Sequence, residues 1–157
     1  MSNSTHQEAF DLALYQPDIP GNTGTLMRFC ACTGIPLHII EPAGFRLDDR
    51  SLKRAGMDYL QIANLERHPS WDAFVAWAKD QNRRLILSTT RAETDYCSFG
   101  FEQRDILLMG RESSGVPPEV HETCQNRIKI EMASDTRSLN VALAAAMIAG
   151  EALRQLG

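Results

Sequence analysis

The order of apolar and periodic segments predicts an α/β domain with a parallel sheet covered by helices on both faces. Three observations carry that prediction. Short apolar runs of strand length recur along the chain, with few charges inside them. Segments with helical spacing of apolar residues lie between those runs. Loops rich in Gly, Pro, Ser and Asn follow the ends of three runs, where open α/β folds bind ligands.

Phe10 to Tyr15 reads as the first strand, and the loop after it, Gln16 to Gly24, is punctuated by two prolines and two glycines. A helix is expected from Thr25 to Cys32, with Leu26, Phe29 and Cys30 on one side and Gly34 ending it. Leu37 to Glu41 is a second strand, stopped by Pro42. Asp48 to Ala55 is a short charged helix with Gly56 behind it, and Tyr59 to Ala63 a brief third strand. Trp71, Phe74, Val75 and Ala78 fall at i, i+3, i+4 and i+7, which predicts an amphipathic helix capped by Ser70. Leu85 to Ser88 is a buried strand, separated from Ile106 to Met109 by the loop Thr89 to Arg104. Gly110 to Val116 is a tight loop, and Pro117 stands at the expected first position of a helix.

The last segment organises the rest. Arg127 to Glu131 alternates as a strand, Met132 to Arg137 is a polar loop, and Ser138-Leu-Asn140 opens an Ala-rich helix with Ser138 as its expected N-cap. The unpartnered N–H groups of a helix start facing such a loop suit a ligand. Ala142, Ala145, Ala149 and Ala152 recur at helical spacing, with Gly150 among them, which predicts close packing against another backbone.

Length and composition narrow the class. The chain has 157 residues and is read as one domain, with Met1 to Glu8 as a loose polar lead-in. No apolar run reaches membrane length and no charged-then-apolar leader precedes a cleavage site, so a cytoplasmic, non-membrane protein is expected. Four cysteines do not suggest a disulfide framework; Cys30 and Cys32 point about 200° apart on a helix and are read as buried small hydrophobes. A net charge of −4 argues against a strongly basic nucleic-acid binder, though not against a local basic patch.

The usual fingerprints fail. G-x-G-x-x-G and the phosphate-loop motif are absent, and Glu112-Ser-Ser-Gly115 is not a nucleophile elbow. His6, His38, His68 and His121 are scattered without metal-ligand spacing, each is read as structural or exposed, and no metal is expected. What remains is three loops, each past the carboxyl end of an expected strand: Asn22 to Arg28, Gly110 to Gly115 and Met132 to Asn140.

Those loops carry a resemblance. Pro20-Gly-Asn-Thr-Gly-Thr-Leu-Met-Arg28, Leu108-Met-Gly-Arg-Glu-Ser-Ser-Gly-Val-Pro117 and Ile130-Glu-Met132 through Arg137-Ser-Leu-Asn140 resemble, in order and spacing, the three motifs of the SPOUT superfamily of RNA methyltransferases. The resemblance runs from Asp11 to Gly157. Ile39 to Phe45, Arg54 to Tyr59 and Glu151 to Gly157 are similar to the short TrmL branch, the tRNA wobble-nucleotide 2′-O-methyltransferases. It implies a C-terminal trefoil knot, a homodimer, S-adenosylmethionine as cofactor and tRNA as partner. The cofactor pocket then falls on Ser88 (by position alone), Met109, Gly110, Ile130, Ser138, Leu139 and Asn140. Asn22 and Arg28 match the motif credited with catalysis, and Glu112 an acidic position that holds the site together. The chain departs from the pattern in two places: Glu131 stands where many relatives carry proline, and Val141-Ala-Leu143 replaces a more polar run.

Several residues have two readings. Arg28 is catalytic, a snorkelling surface residue or a partner for Glu112, and Asn22 is a helix cap, functional, or both. Arg46, Arg50, Lys53 and Arg54 form either a solvated helix face or an RNA contact. Lys53, Arg54, Arg111 and Arg137 are the RNA-binding candidates, with Arg137 favoured by its place in the pocket loop. Besides wobble-nucleotide methylation, the residues allow methylation of another tRNA position or of rRNA, and a noncatalytic RNA-binding dimer.

Overall fold

A computed structural model describes residues 9–46, 50, 64–136 and 138–157. Its strands are β1 (Phe10–Tyr15), β2 (Leu37–Ile40), β3 (Leu65–His68), β4 (Leu85–Ser88), β5 (Thr94–Asp95), β6 (Asp105–Met109) and β7 (Asn126–Lys129). The helices are α1 (Pro20–Thr33), α2 (Trp71–Asp80), α3 (Pro118–Thr123) and α4 (Val141–Leu156). All seven strands form one sheet in the order β3-β2-β1-β6-β4-β7-β5, and every neighbouring pair is parallel.

Alternation along β1 divides the core. Leu12 and Leu14 face a layer made by α1 and α4, where Leu26, Met27, Cys30, Ala145, Ile148 and Ala149 pack. Ala13 and Tyr15 face the opposite layer, with Trp71 and Phe74 of α2 and Val120 and Cys124 at α3. Every residue of β1, β2 and β6 is buried, as a central parallel sheet covered on both sides requires. No helix among the described residues is long and apolar enough to cross a membrane.

Several boundaries differ from the sequence reading. α1 starts at Pro20, not Thr25, because proline at the first helical position is preorganised for a helix; the Pro-Gly pair opens α1 rather than breaking the chain. Asn22 therefore lies in the first turn, and Ile19 holds the cap position. Gly34 ends α1 at φ 78°, a left-handed conformation that glycine adopts without steric cost. Pro117 caps α3 and Pro118 takes its first position. The described third strand is Leu65–His68, whose exposed Glu66 and Arg67 hid it from an apolar pattern. The expected helix Asp48 to Ala55 and strand Tyr59 to Ala63 lie outside the described residues, apart from Arg50, which is helical and exposed.

Ser138 is not the N-cap of the last helix. Asn140 is: its side-chain oxygen accepts from the N–H groups of Ala142 and Leu143. Cys30 is buried as expected, whereas Cys32 is exposed. The alanine face of α4 is a core face, with Ala145, Ala149 and Ala152 fully buried against the sheet and α1. Gly150 is not part of it; a Cβ there would meet nothing within 4 Å. The other side of α4 exposes Leu143 and Met147.

Replacing Ala149 by Leu forces a larger side chain into this closed layer, and a loss of about 1–3 kcal/mol is expected in urea unfolding. An unchanged midpoint would show that the layer between α4 and the sheet is loosely packed.

Candidate active site

The carboxyl ends of β6, β4 and β7 lie side by side, and the loops leaving them surround a cavity of about 780 Å³. The sheet order turns between β1 and β6, and the helices that follow these two strands, α1 and α3, lie on opposite faces of the sheet. This is the switch point at which open α/β sheets hold ligands.

All seven residues assigned to the cofactor line this cavity: Ser88 ends β4, Met109 ends β6 and Gly110 follows it, Ile130 follows β7, and Ser138, Leu139 and Asn140 lead into α4. Asn22, Arg111 and Glu112 line it too. Thr89, Thr90 and Arg91 also line it; the sequence reading left them in an unassigned loop. Their signal was position alone, directly after the end of β4.

Three loops meet through a chain of side chains. Asn140 caps α4 with its oxygen while its Nδ2 donates to Asn22 Oδ1 at 2.9 Å. Asn22 Nδ2 donates to Glu112 Oε2 at 3.4 Å, and Glu112 Oε1 accepts from the Asp18 backbone N–H at 3.1 Å. Asn22 is thus not a helix cap; it couples the start of α1 to the start of α4 and to the loop after β6. Burial, together with the adjacent Asp18, pushes the Glu112 carboxyl above the usual carboxylate range. Bonds from Glu112 and the Ser113 hydroxyl hold Asp18 low.

The loop after β6 closes on itself. Arg111 and Gly115 exchange backbone hydrogen bonds at 3.0 Å each, and Gly115 has φ 65°. A Cβ on Gly110 would lie 3.0 Å from Gly115 Cα and carbonyl carbon, so glycine is required there by the loop's own backbone. Arg111 serves the same loop: its guanidinium lies 5.1 Å from the Tyr15 ring centroid and donates to Gln16 and Ser114 side chains.

Arg28 is not brought to this cavity by its own chain. It is exposed on α1, six residues beyond Asn22, which places it about 120° around the helix and about 9 Å along it. The Glu112 carboxylate oxygens accept from the Asn22 side chain and the Asp18 backbone N–H. Lys53, Arg54 and Arg137 lie outside the described residues. Of the departures, Glu131 is exposed and pairs with Lys129 at 3.0 Å, and Leu143 is exposed.

Apolar walls from Met109, Ile130 and Leu139, hydroxyls from Ser88 and Ser138, and a volume within the usual range for small ligands suit a nucleoside-sized cofactor. Fold and cavity together define an open α/β protein with a cavity of small-molecule size at the carboxyl edge of its sheet. The sequence profile of the SpoU rRNA methylase family matches residues 9–150. A tRNA (cytidine(34)-2′-O)-methyltransferase of Beijerinckia indica is 57% identical over 146 residues, covering 93% of this chain and 91% of that one. A solved structure described as giving insight into 2-OH methylation of C/U34 on tRNA superposes with TM-score 0.90 at 41% identity, covering 96% and 97% of the two chains. The SpoU methyltransferase AviRb of Streptomyces viridochromogenes in complex with AdoMet superposes with TM-score 0.85 at 28% identity, over 94% of this chain and 58% of that one. This chain belongs to the SpoU methylase family.

Asn140→Ala removes a cap and the link to Asn22 together. A loss of about 0.5–2 kcal/mol is expected from the cap in thermal or urea unfolding. Asn140→Asp, which keeps the capping oxygen, should recover the stability but not the bond to Asn22.

Proposed function

We propose that this chain transfers a methyl group from S-adenosylmethionine to the ribose 2′-hydroxyl of the wobble nucleotide of tRNA, cytidine 34 or a modified uridine 34. The observation that carries this reading is the convergence of all seven expected cofactor residues on one cavity, with the Asn140–Asn22–Glu112 chain at its rim. The relatives named for methylation of cytidine 34, and the AdoMet-bound family member, support the substrate and the cofactor. The single-domain reading and the C-terminal trefoil knot belong to the same proposal.

Met109, Ile130 and Leu139 would enclose the adenine, with Gly110 and the Ser88 and Ser138 hydroxyls supplying polar contacts. The cofactor brings an electrophilic methyl group and a sulfur leaving group. The protein's task is to place the 2′-oxygen in line and stabilise its developing charge. Arg28 is assigned to orienting that hydroxyl or the adjacent phosphate, because a guanidinium with a pKa above about 12 is a poor base. Asn22 holds the loop and Glu112 fixes Asn22. No metal is needed for any of these roles.

The position of Arg28 off the cavity of its own chain favours a homodimer. α1 and α4 pack together, and α4 presents Leu143 and Met147 outward. A second copy seated on these helices would cover that apolar surface and carry Arg28 toward the partner's cavity. RNA contacts are assigned to Arg91 and Arg111 at the cavity, and to Lys53, Arg54 and Arg137.

Methyl transfer from labelled S-adenosylmethionine to total tRNA, and not to rRNA, is the expected outcome; transfer to rRNA would move the target, and transfer to neither would leave an RNA-binding dimer. In the same assay Arg28→Ala should cut single-turnover methylation on the order of 10²-fold or more while cofactor affinity barely moves. Arg28→Lys should recover little, because the planar fork is lost. Near-normal turnover in Arg28→Ala would remove this residue from the mechanism.

The basic helix is tested separately. Lys53→Ala with Arg54→Ala should weaken tRNA binding and lower its salt slope by roughly 0.7–0.9 per lost phosphate contact. An unchanged slope would make those residues a solvated face.

A further inference from the structure

A second cluster of ionisable groups lies away from the cavity, on the β1–β2–β3 side of the sheet. His38 of β2 is paired in register with Glu66 of β3, and His68 stands two residues further along β3, so all three side chains share one face. Phe74 and Trp77 of α2 pack on both rings. His38 and His68 are 2% and 6% exposed, while the Glu66 side chain is 55% exposed.

The three ligating atoms form a small triangle. His38 Nδ1 and His68 Nε2 are 2.9 Å apart, His38 Nδ1 and Glu66 Oε2 3.4 Å, and His68 Nε2 and Glu66 Oε2 3.9 Å. A point equidistant from the corners of that triangle lies about 2.0 Å from each, the length of a zinc–nitrogen or zinc–carboxylate bond. The side lengths centre on the ligand–ligand separation of about 3.3 Å that a tetrahedral ion with such bonds has.

The surroundings suit a metal ligand as well. The far nitrogen of His38, Nε2, is 2.6 Å from Asp11 Oδ2, so the Nε2–H donates to the carboxylate and Nδ1 is left as the lone-pair atom. Arg83 holds the same carboxylate oxygen at 2.8 Å. A carboxylate behind a histidine is the usual outer partner of a metal-ligating imidazole. A cavity of about 500 Å³ reaches two of the three residues, His38 and Glu66, beside Asp11 and Trp77.

We propose that His38, Glu66 and His68 bind one divalent transition-metal ion of the Zn²⁺ type, tying edge strand β3 to β2 as a structural clip. Without the ion the two rings share one proton, on His68 Nε2, in a hydrogen bond. The ion takes that proton's place, and the ring of His68 keeps its neutral charge by carrying its proton on Nδ1. The site is separate from the methyl-transfer cavity and its test does not depend on the proposed activity.

The full chain, stripped with a chelator and dialysed, is titrated with ZnCl₂ by calorimetry and with Co²⁺ by visible absorption. One equivalent of Zn²⁺ is expected, with the d–d bands of four-coordinate cobalt and a melting temperature that rises with Zn²⁺ concentration. Glu66→Gln, at an exposed position, should keep the metal-free melting temperature and weaken binding by about tenfold or more; His68→Asn should abolish it. S-adenosylmethionine affinity should be the same with and without Zn²⁺. Absence of a stoichiometric site in the unmutated chain would overturn the proposal. So would binding that Glu66→Gln leaves unchanged, which would put the ion on other groups such as the exposed Cys32 and Cys97; this variant decides alone if His68→Asn fails to fold.

Discussion

The site depends on one asparagine side chain with two duties. Asn140 satisfies orphan N–H groups at the start of α4 with its oxygen and reaches Asn22 in the first turn of α1 with its nitrogen, across 118 residues of chain. Asn22 passes the connection to Glu112, and Glu112 to the backbone at Asp18. Each bond alone contributes about 0.5–3 kcal/mol, the larger values for bonds to a charged carboxylate, which is small beside the burial of the core. The chain of bonds fixes the relative placement of three loops that the core leaves undetermined. Side chains that rigidify one another in this way can hold a ligand-binding geometry without a large folding cost.

That placement rests on the small-residue layer beneath it. Ala145, Ala149 and Ala152 let α4 lie close to the sheet and to α1, which carries the two asparagines within reach. Larger residues there would lift the helix and open the gap between Asn140 and Asn22. The tight loop after β6 acts similarly: Gly110 allows its ends to close, and Arg111 ties it back to Tyr15 and Gln16 at the end of β1. Each wall of the cavity is thus set by backbone approach first and by side-chain polarity second.

Much of this was legible in the sequence because parallel strands and their loops have strong local signatures. The apolar runs of β1, β2, β4 and β6 and the capped period of α2 appear where the residues place them. Motif order located the cavity residues in three loops far apart in the chain. Helix starts were less legible, because Pro20-Gly21 reads as a turn until the helix is seen to begin on it, and because Ser138 and Asn140 are both good caps. The choice between them is tertiary: only Asn140 also meets Asn22. β3 was hidden because an edge strand carries charges outward, and with it went the register that sets His38 beside Glu66. Residues 28 and 30 positions apart show no metal-ligand spacing; adjacency across two strands creates it.

The two ends of the sheet therefore handle polarity in opposite ways. Near the amino ends, buried charges are paired: Arg84 grips Asp105 through two bonds of 2.8 and 2.7 Å, and Arg83 and His38 share Asp11. Asp105 is 2% exposed and also accepts the Glu102 N–H, so its charge is matched within the protein. At the carboxyl ends the side chains around the cavity are partnered mainly at its rim, and the loops leave it wide and open to ligand. The paired charges and fully buried central strands give the sheet a rigid middle, and the Asn140–Asn22–Glu112 chain sets the loops at its carboxyl edge.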